Sequence, residues 1–544
     1  MKDYAFVGVA LLAVVAPFET TAPLVRLPGQ SISDVEAALL VAFLVWGAGM
    51  VMWRALPEWR TPLTAPWVAL LVVCGVASLF SQISRVNALH MTGRLGAAFG
   101  VYLLTANAVT TPHRLRRVLS LVLAIGVVVA LLAWLEYLQW PRVLEVLRAF
   151  RPGLTTVGAQ VRAGGSLQYP TIASMYLEIV FAFGVGLLLI ALDAGERGPA
   201  AMTFVALIVI AEGITVTYTR AGLITMAATL VIAAGARLRL HGFDSGVRIV
   251  SALAVAVAAL FVASRSTDSL WLRLTTEGQE SWYRATIDAP STIELATGRD
   301  ELVPVSVTNT GRLVWDSEAR PPIYFSYHWM SAAGDRVVAF DGVRTPFAAP
   351  VDPGQTTVFR ARVRAPQQPG EYRLVWDLVQ EGRLWFSTEP GASAQASRAT
   401  IEGDPAAAPA PTFAPPKPTV RPGRLQLWRA AVAMFAAHPV FGVGPDNFRL
   451  SYGRYAGIAT PDTRTHSNNM YLEVLAGTGI AGAFVLAWLA WAARGFVFAN
   501  IGIACAIVAI AVHGMVDSFL SFAPTYILFA MTLGLAVVTH EDRV

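Results

Sequence analysis

His466 stands in the polar stretch "RTHSNN", residues 464–469, directly before an apolar run that opens at Met470. An imidazole with its ordinary pKa of about 6.5 can take a proton from an attacking hydroxyl near neutral pH. Four arginines could supply the complementary chemistry: Arg220 in "TYTRAGL", Arg424 and Arg429 flanking "LQLW", and Arg162 in "RAGGSLQYP". A guanidinium stays charged at any relevant pH and grips phosphate in a bidentate fork. Together these types point to a hydroxyl acceptor and an anionic, phosphate-bearing group.

Each residue also has a plainer explanation. A lone histidine beside an apolar run is commonly structural. Arg220 could merely reach for the membrane interface. Arg424 and Arg429 are five residues apart, so on a helix they point to different faces. The Gly164-Gly165 turn after Arg162 would let a ligand approach the backbone, but turn structure alone explains it too. Supporting candidates are Asn469, Tyr452, which could stack on a sugar or pack a loop, and His513 with Asp517, which are spaced to pair with each other. Glu136, Glu178 and Glu212 lie in or at the ends of apolar runs, where an acid is costly. Ser467 or Asn468 is expected to cap the helix that follows His466. The segments around these residues show no Asp-x-Asp and no paired acidic cluster, so neither a metal nor another cofactor is expected. "GVGPDNF" lacks the Lys-Ser/Thr ending of a nucleotide loop, and no nucleic-acid partner is expected.

The elements that must hold these groups are membrane helices. The chain has 544 residues, 55% hydrophobic and only 14% charged, against about 25% charged in ordinary globular domains. About twelve apolar runs are long enough to cross hydrocarbon. They fall near residues 3–18, 34–53, 66–82, 92–109, 115–138, 171–192, 200–218, 221–237, 247–264, 470–493, 496–512 and 514–538. The run from Tyr4 to Pro17 is followed by no small-residue cleavage site and is expected to be a retained first helix. Cys74 and Cys505 both lie inside apolar runs and offer no disulfide framework.

Lysine and arginine in the short loops set the expected orientation, with the N-terminus in the cytoplasm. Residues 1–264 then hold nine helices, 265–469 form a large periplasmic loop, and 470–544 hold three more helices. The loop between Trp140 and Pro170 breaks the pattern with Arg142, Arg148, Arg151 and Arg162, which either contradicts this count or marks an anion site. Within the large loop, residues 280–402 show short alternating strands bounded by turn residues, the pattern of an all-β sandwich. Trp315, Trp329, Trp376 and Trp385 are its expected core. A stiff Pro/Ala-rich linker covers 403–423, and helical periodicity resumes over 424–469.

"GRLQLWRAAVAMFAAHPVFGVGPDNF", a tyrosine-bearing loop and then "HSNNMYLEVLAGTGIAG" resemble the signature of the O-antigen ligase and polymerase family. That family often has a second histidine two positions after the first; here the position is Asn468. The resemblance implies an inverting, metal-independent membrane glycosyltransferase of the bacterial inner membrane. Its donor would be a glycan on undecaprenyl diphosphate, and its acceptor the lipid A core (a ligase) or another glycan (a polymerase). It implies His466 as general base and Arg220, Arg424 and Arg162 as diphosphate ligands. "TRAG" around Arg220 matches the Ser/Thr-Arg-Gly that the family favours. The sandwich weakly resembles immunoglobulin-like domains and is not expected in a minimal ligase. A lipid-glycan flippase would need cations through the bilayer depth, which the centres of these runs lack. A mere anchor for the sandwich would need neither the arginines nor His466.

Overall fold

The computed structural model describes the chain except residues 1, 28–29, 152, 158–159, 264–281, 320, 382–383, 389–394, 404–421, 459–460, 497–499 and 541–544. Most of the expected linker therefore lies outside the described residues. The helices are α1 Lys2–Val15, α2 Asp34–Trp53, α3 Thr64–Leu79, α4 Arg85–Ala108, α5 Pro112–Tyr137, α6 Pro141–Leu147, α7 Pro170–Asp193, α8 Arg197–Val216, α9 Arg220–His241, α10 Ser245–Ala263, α11 Arg424–Ala437, α12 Phe448–Ala456, α13 Met470–Ala493, α14 Ile501–His513 and α15 Ala523–His540. Among the described residues, α2, α5, α7, α8, α9, α10 and α13 are long and apolar enough to cross a membrane. The apolar helices α3, α14 and α15 are shorter, and α4 carries Arg85, His90 and Arg94. The protein is a polytopic helical membrane protein with a β domain.

Local chemistry sets the helix ends. Ser33 and Glu36 form a reciprocal capping box at the start of α2, which satisfies two otherwise free amides. Thr111 caps α5, with Pro112 in the first turn, where a missing N–H costs nothing. Helix α7 is buried around nearly its whole circumference, as expected of a helix that is apolar on every side. One expectation fails. Residues 514–522, expected to begin the last span, form a turn-rich connection between α14 and α15.

Helix α13 is not continuous. At Gly479 the backbone leaves the helix (φ 65°, ψ −159°). The carbonyls of Ala476 and Gly477 are freed there and accept the amides of Val443 and Gly444, each at 2.9 Å. Beyond the break, the Ile480 amide donates to the Pro439 carbonyl at 2.8 Å. The segment "HPVFGVG" thus lies backbone to backbone against the broken helix. A Cβ on Gly479 would sit 2.4 Å from the Val440 carbonyl oxygen.

The β domain is a separate compact unit. Four short strands precede it in the chain: β1 Val25–Leu27, β2 Gln30–Ile32, β3 Thr155–Val157 and β4 Gln160–Arg162. Its own strands are β5 Ala285–Asp288, β6 Thr292–Ala296, β7 Asp300–Asn309, β8 Ile323–Ser331, β9 Val337–Ala339, β10 Thr356–Arg364, β11 Gly370–Gln380, β12 Leu384–Trp385 and β13 Ala396–Glu402. One sheet has the order β10-β7-β5; the other runs β6-β13-β11-β8-β9, with β12 added to β11. Pairing is antiparallel except between β13 and β6. Trp315, Trp329 and Trp376 are core residues as expected. Trp385 is not: it is half-buried on the two-residue β12, beside His328 and under the Arg344 guanidinium.

Gly479→Ala combines a forbidden φ with a backbone collision and should destabilise the helical unit by at least about 1–2 kcal/mol. Gly495→Ala meets no atom of the described residues within 4 Å and should be neutral. Thermal aggregation in detergent compares the two; equal midpoints would disprove the splice as a stability determinant.

Candidate active site

The backbone splice delivers Asp446 to a defined place. Asp446 has a left-handed φ of 61°, one residue before the fully buried Asn447. Asn447 Nδ2 donates to Ser81 Oγ (2.8 Å) and to the Ser84 carbonyl (3.0 Å). Asn87 Nδ2, from α4, donates to the Asp446 carbonyl (3.1 Å) and to Asn447 Oδ1 (3.0 Å). Arg449 Nε donates to Asp446 Oδ2 at 2.8 Å. The "PDN" motif is thereby tied to the α3–α4 connection and to the start of α4, and Arg449 restrains the Asp446 carboxylate.

His466 meets that carboxylate. Its Nδ1 lies 3.7 Å from Asp446 Oδ1 and 3.5 Å from Glu473 Oε1, and all three side chains are largely buried. These separations are long for hydrogen bonds, so the contacts are charge pairs. The other Glu473 oxygen accepts the Ser467 amide at 2.8 Å, which fixes the loop that carries the histidine. Burial alone would lower the pKa of this ring. The Glu473 carboxylate, with Asp446 behind it, outweighs burial and holds it above the usual histidine range, while Arg449 pulls the other way. With Nδ1 turned to the carboxylates, Nε2 is the nitrogen left for a substrate, which is the arrangement of an oriented general base.

The expected lack of a paired acidic cluster is therefore wrong for the folded chain. Asp446 and Glu473 are distant in sequence and converge beside His466. Their ligand atoms and that of His466 lie within 4.8 Å of one another, a spacing that could hold a cation. Arg449 already neutralises Asp446, which weakens that use.

The cap of α13 also differs from expectation. It is Asn469, whose Oδ1 accepts the amides of Tyr471 and Leu472 at 3.0 Å. Asn468 instead takes a left-handed turn (φ 52°). Asn469 Nδ2 donates to the Met515 carbonyl, so this supporting candidate is a cap and a clamp.

The arginines gather at a second point. Arg220 is the first residue of α9. Arg162 donates through Nε to the Thr217 carbonyl (3.0 Å) and through Nη2 to Thr219 Oγ1 (3.3 Å), so it braces the loop in front of Arg220. Arg424, at the start of α11, interacts electrostatically with Arg220 and Asp517. The Asp517 carbonyl accepts the Met470 amide at 3.1 Å, which brings this group to the start of α13. Arg429 is exposed on another face of α11.

Three further groups have partners within the fold. Tyr452 is fully buried and stacks on Phe448 at 5.6 Å; it packs the core and cannot offer its ring to a sugar. The Gly164-Gly165 turn donates both amides to Glu136 Oε2 at 2.9 Å, and Glu136 is ion-paired with the buried Arg151. The turn therefore has a structural partner, and so do two of the four loop arginines, Arg151 and Arg162. His513 pairs with Glu178 across the bundle, not with Asp517: Nδ1 lies 2.9 Å from Glu178 Oε2.

Between α3, α4 and α13 lies a cleft of about 520 Å³, counting the solvent at its open mouth. Asp446 and Glu473 line it with Leu70, Met91, Leu95 and Leu486. Apolar walls ending on carboxylates beside His466 suit an amphipathic molecule.

Fold and site thus describe a polytopic helical membrane protein in which His466 faces two largely buried carboxylates. A segment of the chain, residues 412–487, matches the family model described as O-antigen ligase. It contains Arg424, Asp446, His466 and Glu473. No curated protein matches the chain.

If His466 is the base, His466→Ala should lower turnover by roughly 10²–10⁴-fold with little change in donor binding. A base must be neutral, and this pKa is raised, so turnover should climb with pH through a limb lying above the ordinary histidine value. Glu473→Gln removes the main cause and should move that limb to lower pH. A pH–rate profile that keeps the same limb in both proteins would remove the pairing from the mechanism.

Proposed function

We propose that the protein is a metal-independent, inverting glycosyltransferase that moves a glycan from undecaprenyl diphosphate to an acceptor hydroxyl on the periplasmic side of the bacterial inner membrane. The acceptor hydroxyl oxygen attacks the anomeric carbon from the face opposite the diphosphate. Its proton passes to His466 Nε2, the bond from the anomeric carbon to the phosphate oxygen breaks, and the lipid diphosphate leaves with the electron pair. Arg220 and Arg424 compensate the leaving charge, with Arg162 bracing the Arg220 loop. The observation that carries this reading is the His466–Glu473–Asp446 grouping inside the family segment, supported by Arg220 and Arg424, which each begin a helix and interact electrostatically.

The apolar cavity that ends at the carboxylates favours a lipid-borne acceptor, as in a ligase acting on lipid A core. Such a cavity would serve a polymerase too, because its acceptor is also lipid-linked. Purified protein, lipid-linked glycan and each acceptor separate the two: transfer to lipid A core defines the ligase, and growth of the lipid-linked chain defines the polymerase. No transfer to either would sink the proposal.

The topology is part of it. Twelve spans place both termini in the cytoplasm and residues 265–469 outside. Cysteines introduced at Gly298 and Gly495 should label from opposite sides of the membrane; labelling from one side would defeat the arrangement.

The arginine mechanism predicts that EDTA leaves transfer intact and that Arg220→Ala or Arg424→Ala each nearly abolishes it. Lysine should rescue poorly, because it keeps the charge but loses the fork. These losses should appear in donor affinity as well as turnover, unlike those of His466→Ala. If chelation stops transfer and Mg²⁺ restores it, the mechanism is wrong and Asp446, His466 and Glu473 become the ligand set to examine.

A further inference from the structure

Glu178 and His513 form a buried ionisable pair that the proposed reaction does not use. Glu178 lies in the middle of α7, and each side chain of the pair is only 1% exposed. His513 Nδ1 is 3.0 and 2.9 Å from the two Glu178 oxygens. Thr225 of α9 donates to Glu178 Oε2 at 2.6 Å. His513 Nε2 is buried and has no hydrogen-bond partner among the described residues. Such an arrangement is expensive inside a membrane bundle, where a well-packed apolar pair of the same volume is often neutral or more stable. Stability does not account for it.

Its connections give another reason. Thr225 lies five residues, about a turn and a half, along α9 from Arg220. On the other side, His513 ends α14 and starts the turn that grips the base of α13. The Met470 amide donates to the Gly514 carbonyl at 2.7 Å, and Asn469 Nδ2 to the Met515 carbonyl at 2.8 Å. The Asp517 amide in turn donates to the His513 carbonyl at 3.0 Å. The pair therefore joins the helix that presents Arg220 to the turn that seats the segment carrying His466.

We infer that Glu178 and His513 are positioning residues that hold His466 and Arg220 in one register. The inference rests on the glycosyltransferase reading above. It names no contact with substrate, since both side chains are closed off.

The test compares Glu178→Leu/His513→Phe, which removes both ionisable groups together and so strands neither charge, with His513→Asn, whose amide N–H can replace Nδ1–H toward Glu178. The double variant should assemble and keep a donor KM within about twofold, since the arginines remain. Its kcat should fall about 10²-fold, the order of loss for a displacement near 1 Å at the reacting groups. Amide exchange at Met470 to Leu472 should speed up. His513→Asn should recover most of the kcat and restore slow exchange. A double variant with wild-type kcat overturns the inference. So does slow turnover with unchanged exchange at Met470, and so does collapse of the whole bundle, which would make the pair merely structural. If the wild-type protein transfers no glycan, the functional reading fails, while the exchange comparison still decides whether the pair seats residues 469–472.

Discussion

The break in α13 at Gly479 is the constraint on which the site depends. A membrane helix satisfies its own amides and carbonyls, and any carbonyl released within it must find a donor. Ala476 and Gly477 release theirs, and Val443 and Gly444 supply the amides. Only glycine can stand at 479 and at 442, where a side chain would strike a carbonyl oxygen at 2.4 Å in both cases. The chain leaving this splice reaches Asp446 within two residues. Helix α13 itself carries Glu473 on its first turn. One irregular backbone contact thus sets both carboxylates around His466.

Much of the helical half is legible before any coordinates. Apolar runs near twenty residues mark α2, α5, α7 and α13 closely, because hydrocarbon thickness fixes their length. The alternating stretches that become β7, β8, β10 and β11 are equally plain, since their period of two is sharp. The misses share a cause: they involve partners far apart in sequence. Nothing near His466 announces Asp446, and nothing near His513 announces Glu178. The paired glycine motifs "GVG" and "GTG" were the one available hint of the first, because glycines in two separated segments mark backbones that can touch. For the second, a glutamate in an otherwise apolar helix was the hint, since such an acid demands a partner. The Asn469 cap, one residue beyond the expected Ser467 or Asn468, follows from the left-handed turn at 468, which sequence alone does not place.

The two charge clusters differ in kind. Around His466 the local balance is negative: two carboxylates face one ring, and Arg449 offsets one of them. Around Arg220 and Arg424 it is positive, with Asp517 as the counter-charge. Unit charges 4 Å apart interact by about 4 kcal/mol at the effective dielectric of a protein surface, enough for each cluster to select the sign of what it binds. In the proposed reaction a proton and a diphosphate must part company. The carboxylates favour the proton on His466, and the arginines favour the diphosphate.

That separation makes relative position matter more than the strength of either cluster. A base and an anion site that each work alone achieve nothing if the anomeric carbon does not lie between them. His466 sits on a loop, and Arg220 begins a helix whose own N-terminus is preceded by a left-handed Tyr218 (φ 51°). Neither is rigid by itself. Glu473 holds the His466 loop through the Ser467 amide, Arg162 holds the Arg220 loop through Thr217 and Thr219, and Asp517 interacts electrostatically with Arg424 while its carbonyl accepts the Met470 amide. Each brace is polar and satisfied mostly by backbone groups, which are fixed by the helices they belong to. The bundle can therefore present a precise site on loops, because the loops are tied to helix ends rather than to one another.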